Sequence, residues 1–571
     1  MRFETAISWS LALASTSALP SSDNHWKRGN ECGPGPAHEQ DWDVIVVGAG
    51  PAGIVVADRM SEAGKKTLLL EQGGPSYYIT GGRERPGWIN GTDLSRVDVP
   101  GFYKAIYSNP TYSLLCNATQ YGAYGACTIG GNQAINAGLF FQPPASDFDL
   151  YFPQKWKSKD VASAISKLRA KQPFTNNPSK NGKYYVQSGY EAAKKWLVDG
   201  AGYKDVAFNK VPNEKTKTFG RPEFNYVAGQ RSGAVETYLQ SALSRSNFKL
   251  QSGTAVKRVI RDGKTATGVH TKTNTTESTI KLRPGGRVIL SGGALFSPQL
   301  LMLSGVGDPA MLKNLSSHGL LQANASSWIN NTAVGEGLFD NPNTFIELQG
   351  PTIQSYVYNY SSPISSDAQL YLQDRSGPYA FASETSAFWD VIHNADGTVT
   401  GVQGTIDSAG YGDYTQNNTI TLNVYGTSGM KSTGRVALNL TTGAPMQAAP
   451  FFFTDPSDSD ARAIATFIYN LFQALPNSTS GLVPRNLAQN STLAEIQQYI
   501  SNPTEGSYTV GNVNHWSSSC RIGKCVDLNS KVVGMENLFV VDASIVAPLT
   551  VNPSFGVMIA AERASELILD L

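Results

Sequence analysis

What is scarce in this 571-residue sequence narrows its possible roles. Charged side chains make up 16%, the net charge is +1, and no block of like charge occurs. Nucleic acid or an anionic membrane surface would call for a basic patch, so neither is expected as a partner. Past the N-terminus no stretch approaches the roughly 20 apolar residues that span a bilayer, so no membrane anchor is expected. Histidine is rare, at six residues, and cysteine rarer, at five. Cys32, Cys116, Cys127, Cys520 and Cys525 lack metal-site spacing, and none sits with a histidine in a pattern that suggests a nucleophile. No metal site is expected. Internal repeats and low-complexity linkers are also missing, which argues against solenoids and tethered arrays.

The length exceeds what one core organises, so two or three packed units are expected. Residues 1–18 read as a secretory signal. Arg2 supplies the positive start, Ala6 to Ala14 is apolar or small, and Thr16-Ser17-Ala18 offers a cleavage site. Residues 19–40 follow as a linker, with Lys27-Arg28 a candidate dibasic processing site. A signal without an anchor predicts a secreted, extracellular protein. Asn-X-Ser/Thr triplets at Asn90, Asn117, Asn274, Asn314, Asn324, Asn330, Asn359, Asn439, Asn477 and Asn490, among others, fit a glycosylated surface. In an oxidising compartment Cys116–Cys127 and Cys520–Cys525 are the natural local pairs, leaving Cys32 odd.

The first strong element is Val44-Ile45-Val46-Val47, an apolar, β-branched run suited to a strand buried on both faces. Gly48-Ala49-Gly50-Pro51-Ala52-Gly53 follows at once, then a helix from Ile54 to Ala63, then a strand Thr67-Leu68-Leu69-Leu70 ending at Glu71. This is a βαβ unit of dinucleotide-binding size. In it Gly48 allows the tight turn, Gly50 the approach of a pyrophosphate, and Gly53 the packing of helix on strand. The helix N-terminus supplies N–H groups for phosphate. Glu71 is placed to accept hydrogen bonds from a ribose, and an acid there disfavours a 2′-phosphate, hence NADP. FAD and NAD both remain open on this motif.

Residues 75–150 are irregular. Helical pieces are expected at Val161 to Ala170, Tyr190 to Val198 and Gly233 to Leu243, with strands from Phe248 to Val269 and at Arg287 to Leu290. Residues 345–450 alternate polar and apolar, as in Thr419-Ile420-Thr421-Leu422-Asn423-Val424, the pattern of an antiparallel sheet with one wet face. A strand at Leu538 to Val541 and a helix from Gly556 close the chain. The fold class is α/β with an α+β second part. A discontinuous Rossmann-like domain is built from 41–150, 231–344 and 506–571, the last also carrying the catalytic C-terminus. A second, antiparallel-sheet substrate domain is built from 151–230 and 345–505.

Four ordered blocks then resemble the glucose–methanol–choline (GMC) flavoprotein oxidoreductases over nearly the whole chain after Asp41. They are Gly48 to Gly53 with Glu71-Gln72-Gly73-Gly74; Gly130-Gly131-Asn132-Gln133-Ala134-Ile135-Asn136; Gly293 to Leu301 through Ser304-Gly305-Val306-Gly307; and Asn514-His515-Trp516 with Val541-Asp542-Ala543 and Asn552-Pro553. The resemblance selects FAD over NAD. Within the family the chain looks most like the flavin domain of fungal cellobiose dehydrogenases, through Ser61 to Lys66, Asp98-Val99-Pro100-Gly101, the Cys116/Cys127 pair and Asn514-His515-Trp516. About 40 residues precede the βαβ unit, too few for the haem domain of those enzymes, so a free-standing flavin dehydrogenase is expected.

The resemblance implies that His515 takes the hydroxyl proton of a substrate while hydride passes to flavin N5, with Asn552 holding the same oxygen. An imidazole titrates in the right range for such a base. Asn514 adjoins the pair as a substrate contact, Asp542 and Ala543 lie at the cofactor end, Asn136 touches the flavin loop, and Val256 sits on the adenine side. No histidine lies between Cys116 and Asn136, so the FAD is expected to be non-covalent. The implied reaction is oxidation of a CH–OH group, on a sugar or oligosaccharide at the anomeric carbon to give a lactone. Electrons then go to a quinone, a radical, a metal complex or O₂, by a dehydrogenase rather than an oxidase. Departures from the pattern keep a second substrate class open. Asn132 and Gln133 replace small residues, Ser432-Thr433-Gly434-Arg435 lacks a guanidinium expected of a cellobiose site, and Val513 replaces a polar residue. An aryl alcohol or a secondary-metabolite alcohol suits such a pocket.

Overall fold

The computed structural model describes residues 41–116, 125–448, 450–502, 509 and 511–571. The signal at 1–18, the linker at 19–40, Cys32 and Asn117 lie outside the described residues.

The run Trp42–Val47 forms the strand its composition demands, apolar because the sheet covers both its faces. It pairs in parallel with Thr67–Leu70 on one side and with the end of Thr276–Leu290 on the other. Phe248–Gln251 extends the sheet beyond Thr67–Leu70, and Leu538–Val540 extends it beyond Thr276–Leu290. This parallel sheet therefore takes strands from the start, middle and end of the chain. The first half of Thr276–Leu290 runs on into an antiparallel meander with Thr265–Thr273 and Ala255–Asp262. Helices Pro51–Glu62 and Pro553–Leu569 pack together. Arg59 locks them to each other, 2.7 Å from the fully buried Glu562, which also accepts from the Tyr238 hydroxyl at 2.6 Å. Removing Arg59 would leave that carboxylate uncompensated, at a cost of about 3–5 kcal/mol. Because the strands are parallel, Gly48, Glu71, Ser291 and Asp542 all emerge at one edge, where α/β sheets open a ligand crevice.

The second sheet has eight strands and is largely antiparallel. Its centre runs Pro342–Gln349, Thr419–Gly426, Val399–Asp407, Glu384–His393. One face is apolar: Ile346, Leu348, Ile420, Leu422, Val424, Val402 and Ile406 pack on the amphipathic helix Ser459–Ala474 through Ile464, Phe467, Ile468 and Leu471. The other carries the polar set Asn343, Thr421, Asn423, Gln403, Thr405 and Asp407. The alternation in the sequence predicts a face open to water; the structure turns that face onto an internal cavity instead.

The C-terminal helix opens at Pro553, one turn before the Gly556 start expected from sequence. Proline is pre-set for the first helical position and lacks an N–H that would be unpaired there. Asn552 thereby stands just before the helix, with no side-chain capping hydrogen bond, and its amide turns to Gln403 and His515 instead. Two disulfides, Cys116–Cys127 and Cys520–Cys525, join the expected local pairs.

Candidate active site

Backbone geometry makes the first half of the site. Gly48 has φ +104°, in the left-handed region that favours glycine, and a Cβ on Gly53 would stand 1.9 Å from the Gly48 carbonyl oxygen. The helix after them starts with no side-chain cap and no acidic residue in its first turn, so no side chain offsets the positive end of its dipole. A Cβ at Gly50 would meet nothing within 4 Å, so space for a ligand lies open there. Gly131 approaches the same turn from the second glycine block, its Cβ position 2.8 Å from the Gly50 Cα.

Two buried acids shape the loops round that turn. Glu71 accepts the N–H groups of Ala49 and Gly73, each at 2.8 Å, and burial pushes its carboxyl up to about 7. Asp542 accepts from the Gly293 N–H at 2.8 Å and the Ser297 hydroxyl at 2.5 Å with one oxygen. Its other oxygen takes the Ser544 N–H at 2.8 Å. Burial raises its pKa above the ordinary carboxylate range. Asn136 is tied to Gly138 at 2.9 Å, to Arg231 at 3.2 Å and to Ser554 at 3.3 Å.

One cavity of about 620 Å³ runs from these glycines to the polar sheet face. Gly48, Gly50, Glu71, Asn136, Val256, Asp542, Ala543, Asn514, His515 and Asn552 all line it. Gly53 stands behind it, where it serves packing. The substituted flavin-loop residues are absorbed locally: Asn132 accepts the Ala126 N–H at 2.9 Å, and buried Gln133 accepts that of Ala234 at 2.9 Å. The open helix N-terminus, the glycine cradle and the acids at the strand ends fit a dinucleotide.

At the far end His515 and Asn552 meet. His515 Nε2 lies 3.3 Å from Asn552 Nδ2. Gln403 donates to Asn552 Oδ1 at 2.8 Å, and Tyr425 lies 3.4 Å from its Nδ2. His515 Nδ1 lies 2.9 Å from Asn341 Oδ1. Asp340 accepts the backbone N–H of His515 at 2.7 Å and that of Asn514 at 3.0 Å, which holds the loop where Asn514 takes φ +63°. Asn514 itself donates to the Tyr107 hydroxyl and accepts from Trp516 at 2.9 Å. Burial holds His515 down at about 4, so its ring is neutral at physiological pH, the form a proton acceptor needs.

Sequence reading did not flag the polar wall beyond this pair. Along Val399–Asp407, Gln403 bonds Asn552, and Thr405 and Asp407 follow on the same face, so the wall runs roughly 13 Å at about 3.3 Å per residue. A β-bulge between Glu384 and Ser386 shifts the register and brings Glu384 opposite Asp407 on the cavity side. There Tyr103 donates to Glu384 Oε1 at 2.7 Å, Lys104 to Asp407 at 3.0 Å, and Ser383 to Asp407 at 2.6 Å. Burial, reinforced by Asp407, raises the Glu384 pKa. Glu384 Oε2 and Asn343 Oδ1 are buried without a hydrogen-bond partner. The alternation of 403, 405 and 407 with 421, 423 and 425 was the available signal for the wall; the bulge that adds Glu384 left none.

Family comparison agrees with this geometry. GMC oxidoreductase models match residues 43–342 and 430–561. The chain belongs to the GMC oxidoreductase family, and it is an FAD-dependent oxidoreductase acting on alcohol-type substrates. It is 26% identical over 573 residues to the mitochondrial choline dehydrogenase of Homo sapiens, covering 94% of this chain and 91% of that protein. It is 29% identical over 378 residues to the chloroplastic fatty acid photodecarboxylase of Chlamydomonas reinhardtii, covering 61% of this chain and 57% of that protein. A solved formate oxidase of Aspergillus oryzae superposes with a TM-score of 0.75 at 18% identity, covering 93% of this chain and 98% of that one.

Proposed function

We propose that the protein oxidises a CH–OH group on a hydroxyl-rich substrate, a sugar or oligosaccharide, at the anomeric carbon to give a lactone. The polar sheet wall carries this reading. Two buried oxygens in it, Glu384 Oε2 and Asn343 Oδ1, lack protein partners, and a buried polar group without a partner is costly. Both residues line the cavity, and ligand hydroxyls, which donate as well as accept, suit either. Lys104 beside Asp407 offsets the acidic charge, so the wall mixes donors and acceptors, which suits neutral hydroxyls better than an ammonium group.

In this reading Gly48, Gly50 and the Pro51–Glu62 N-terminus hold the pyrophosphate, Glu71 a ribose and Val256 the adenine. Asn136, Asp542 and Ala543 hold the flavin end. FAD, held non-covalently, supplies the hydride acceptor. His515 Nε2 accepts the hydroxyl proton, Asn552 Nδ2 steadies the same oxygen, and Asn514 borders the substrate. Such a base contributes typically 10²–10⁴-fold. An external acceptor (a quinone, a radical, a metal complex or O₂) then takes the electrons, with dehydrogenase rather than oxidase action. Secretion is part of the proposal. Every sequon named above within the described residues is exposed except Asn439, which is half-buried.

A second reading, an aryl or secondary-metabolite alcohol, is favoured by Val513, Phe345 and Tyr411 in the cavity lining. Anaerobic titration with D-glucose, cellobiose, benzyl alcohol and choline, followed by flavin absorbance, tests both. Bleaching by a sugar is expected; bleaching by benzyl alcohol alone would transfer the proposal to the second class.

A further inference from the structure

Two neighbouring residues at the start of one strand hold His515 by different parts. Asp340 grips its backbone N–H. Asn341 meets its ring at Nδ1, 2.9 Å from Oδ1. The orientation of the Asn341 amide is fixed from behind, because its Nδ2 donates to the Gly426 carbonyl at 2.7 Å. A carbonyl only accepts, so the amide nitrogen belongs on that side and the amide oxygen on the side of the ring. An amide oxygen also only accepts, so the ring nitrogen facing it carries the hydrogen. In a neutral imidazole the lone pair then resides on Nε2. That is the nitrogen facing Asn552 and the cavity, 3.3 Å from Nδ2.

We propose that Asn341 is a positioning residue for the reaction: anchored on Gly426, it fixes His515 as the Nδ1–H tautomer and leaves Nε2 bare towards the substrate oxygen. The inference rests on His515 being the proton acceptor. Without this anchor the imidazole can turn or change tautomer, and either presents an N–H where a lone pair is needed. Being neutral, Asn341 orients the ring without stabilising its cation, so the base keeps the low pKa that burial gives it. Among the described residues the titratable groups packed round the ring are Asp340 and Tyr425. Asp340 engages the N–H groups of Asn341, Asn514 and His515. The Tyr425 ring centroid lies 6.1 Å from that of His515.

Three variants and one spectrum test this. Asn341→Leu keeps the volume and removes the acceptor. With FAD content and Tm near wild type, flavin reduction at saturating substrate is expected to fall about 10²-fold with KM within about threefold. Asn341→Asp keeps an acceptor and adds a charge. Its second oxygen faces the Gly426 carbonyl, which only accepts, so part of the rate is expected to be lost, while the added charge moves the acid limb of the pH profile up by at least about one unit. The substrate is whichever of D-glucose, cellobiose and benzyl alcohol reduces the wild-type flavin fastest. Independently of turnover, long-range ¹H–¹⁵N spectra of ¹⁵N-histidine protein, with six histidines and His515→Ala for assignment, are expected to show His515 protonated on Nδ1. A bare Nδ1 in the wild type, an Asn341→Leu enzyme at full speed, or an unmoved acid limb in Asn341→Asp overturns the inference. If Asn341→Leu does not fold, the wild-type spectrum and the aspartate variant still decide. Undiminished flavin reduction in His515→Ala refutes the base itself, a separate failure.

Discussion

The two ends of the cavity are built from different materials. The glycine end is main chain: a left-handed turn, a helix N-terminus and two carboxylates bonded to backbone N–H groups. The opposite end is side chain: an imidazole, several amides and a carboxylate pair on a sheet face. Backbone geometry of the first kind depends on the presence or absence of a Cβ, so it allows few alternatives. A side-chain wall of the second kind can be redrawn residue by residue without disturbing the strands. The difference predicts that damage at the two ends will look different.

The largest effect belongs to the glycine end. Gly53→Val drives a side chain into the Gly48 carbonyl, whose oxygen stands 1.9 Å from where the Cβ must go. Purified protein is expected to lack flavin absorbance and to melt well below wild type; a yellow variant with normal Tm would remove the packing argument. Next comes His515→Ala, expected to keep its FAD and lose about 10²–10⁴-fold in flavin reduction, read by stopped flow. Normal bleaching there would erase the functional distinction between the two ends. Glu384→Gln is a smaller change. If its oxygen keeps the Tyr103 hydrogen bond, the carboxamide fixes a donor on the unpartnered side, where a carboxyl can change between acceptor and donor. KM for a bleaching sugar is expected to rise about tenfold, worth about 1.4 kcal/mol, with kcat and benzyl alcohol turnover little changed. An equal loss on both substrates would show that Glu384 supports the fold rather than the ligand. The smallest effect is one of pH. On the proposed reading His515 works only when neutral, and burial holds it at about 4, so the rate is expected to stay level from pH 7 to 5 and fall as pH drops through about 4. An acid limb near 6.5 would mean that the ring is wetter than the structure shows.

The same contrast governs what could be read from the sequence. Val44 to Val47, the three glycines and Glu71 declare a βαβ crevice because each is demanded by local sterics over a short span. His515 and Asn552 were legible through their motif. Asp340, Asn341 and Gln403 were not, because each acts across a separation of more than a hundred residues, through a hydrogen bond that no periodicity encodes. The alternating strands announced a polar face, but whether it met solvent or a cavity depended on what lay opposite. The register shift that recruits Glu384 is a one-residue irregularity invisible in composition.

The parallel sheet draws one of its strands, Leu538–Val540, from near the very end of the chain, where it pairs with the end of Thr276–Leu290. During synthesis the crevice therefore cannot close until Leu538–Val540 has been made. Contacts this distant in sequence are slow to form and leave partly built surfaces exposed meanwhile. A chain truncated before Leu538 is expected to lack this strand together with Asp542, His515's partner Asn552 and the helix that follows, and so to leave the crevice unfinished.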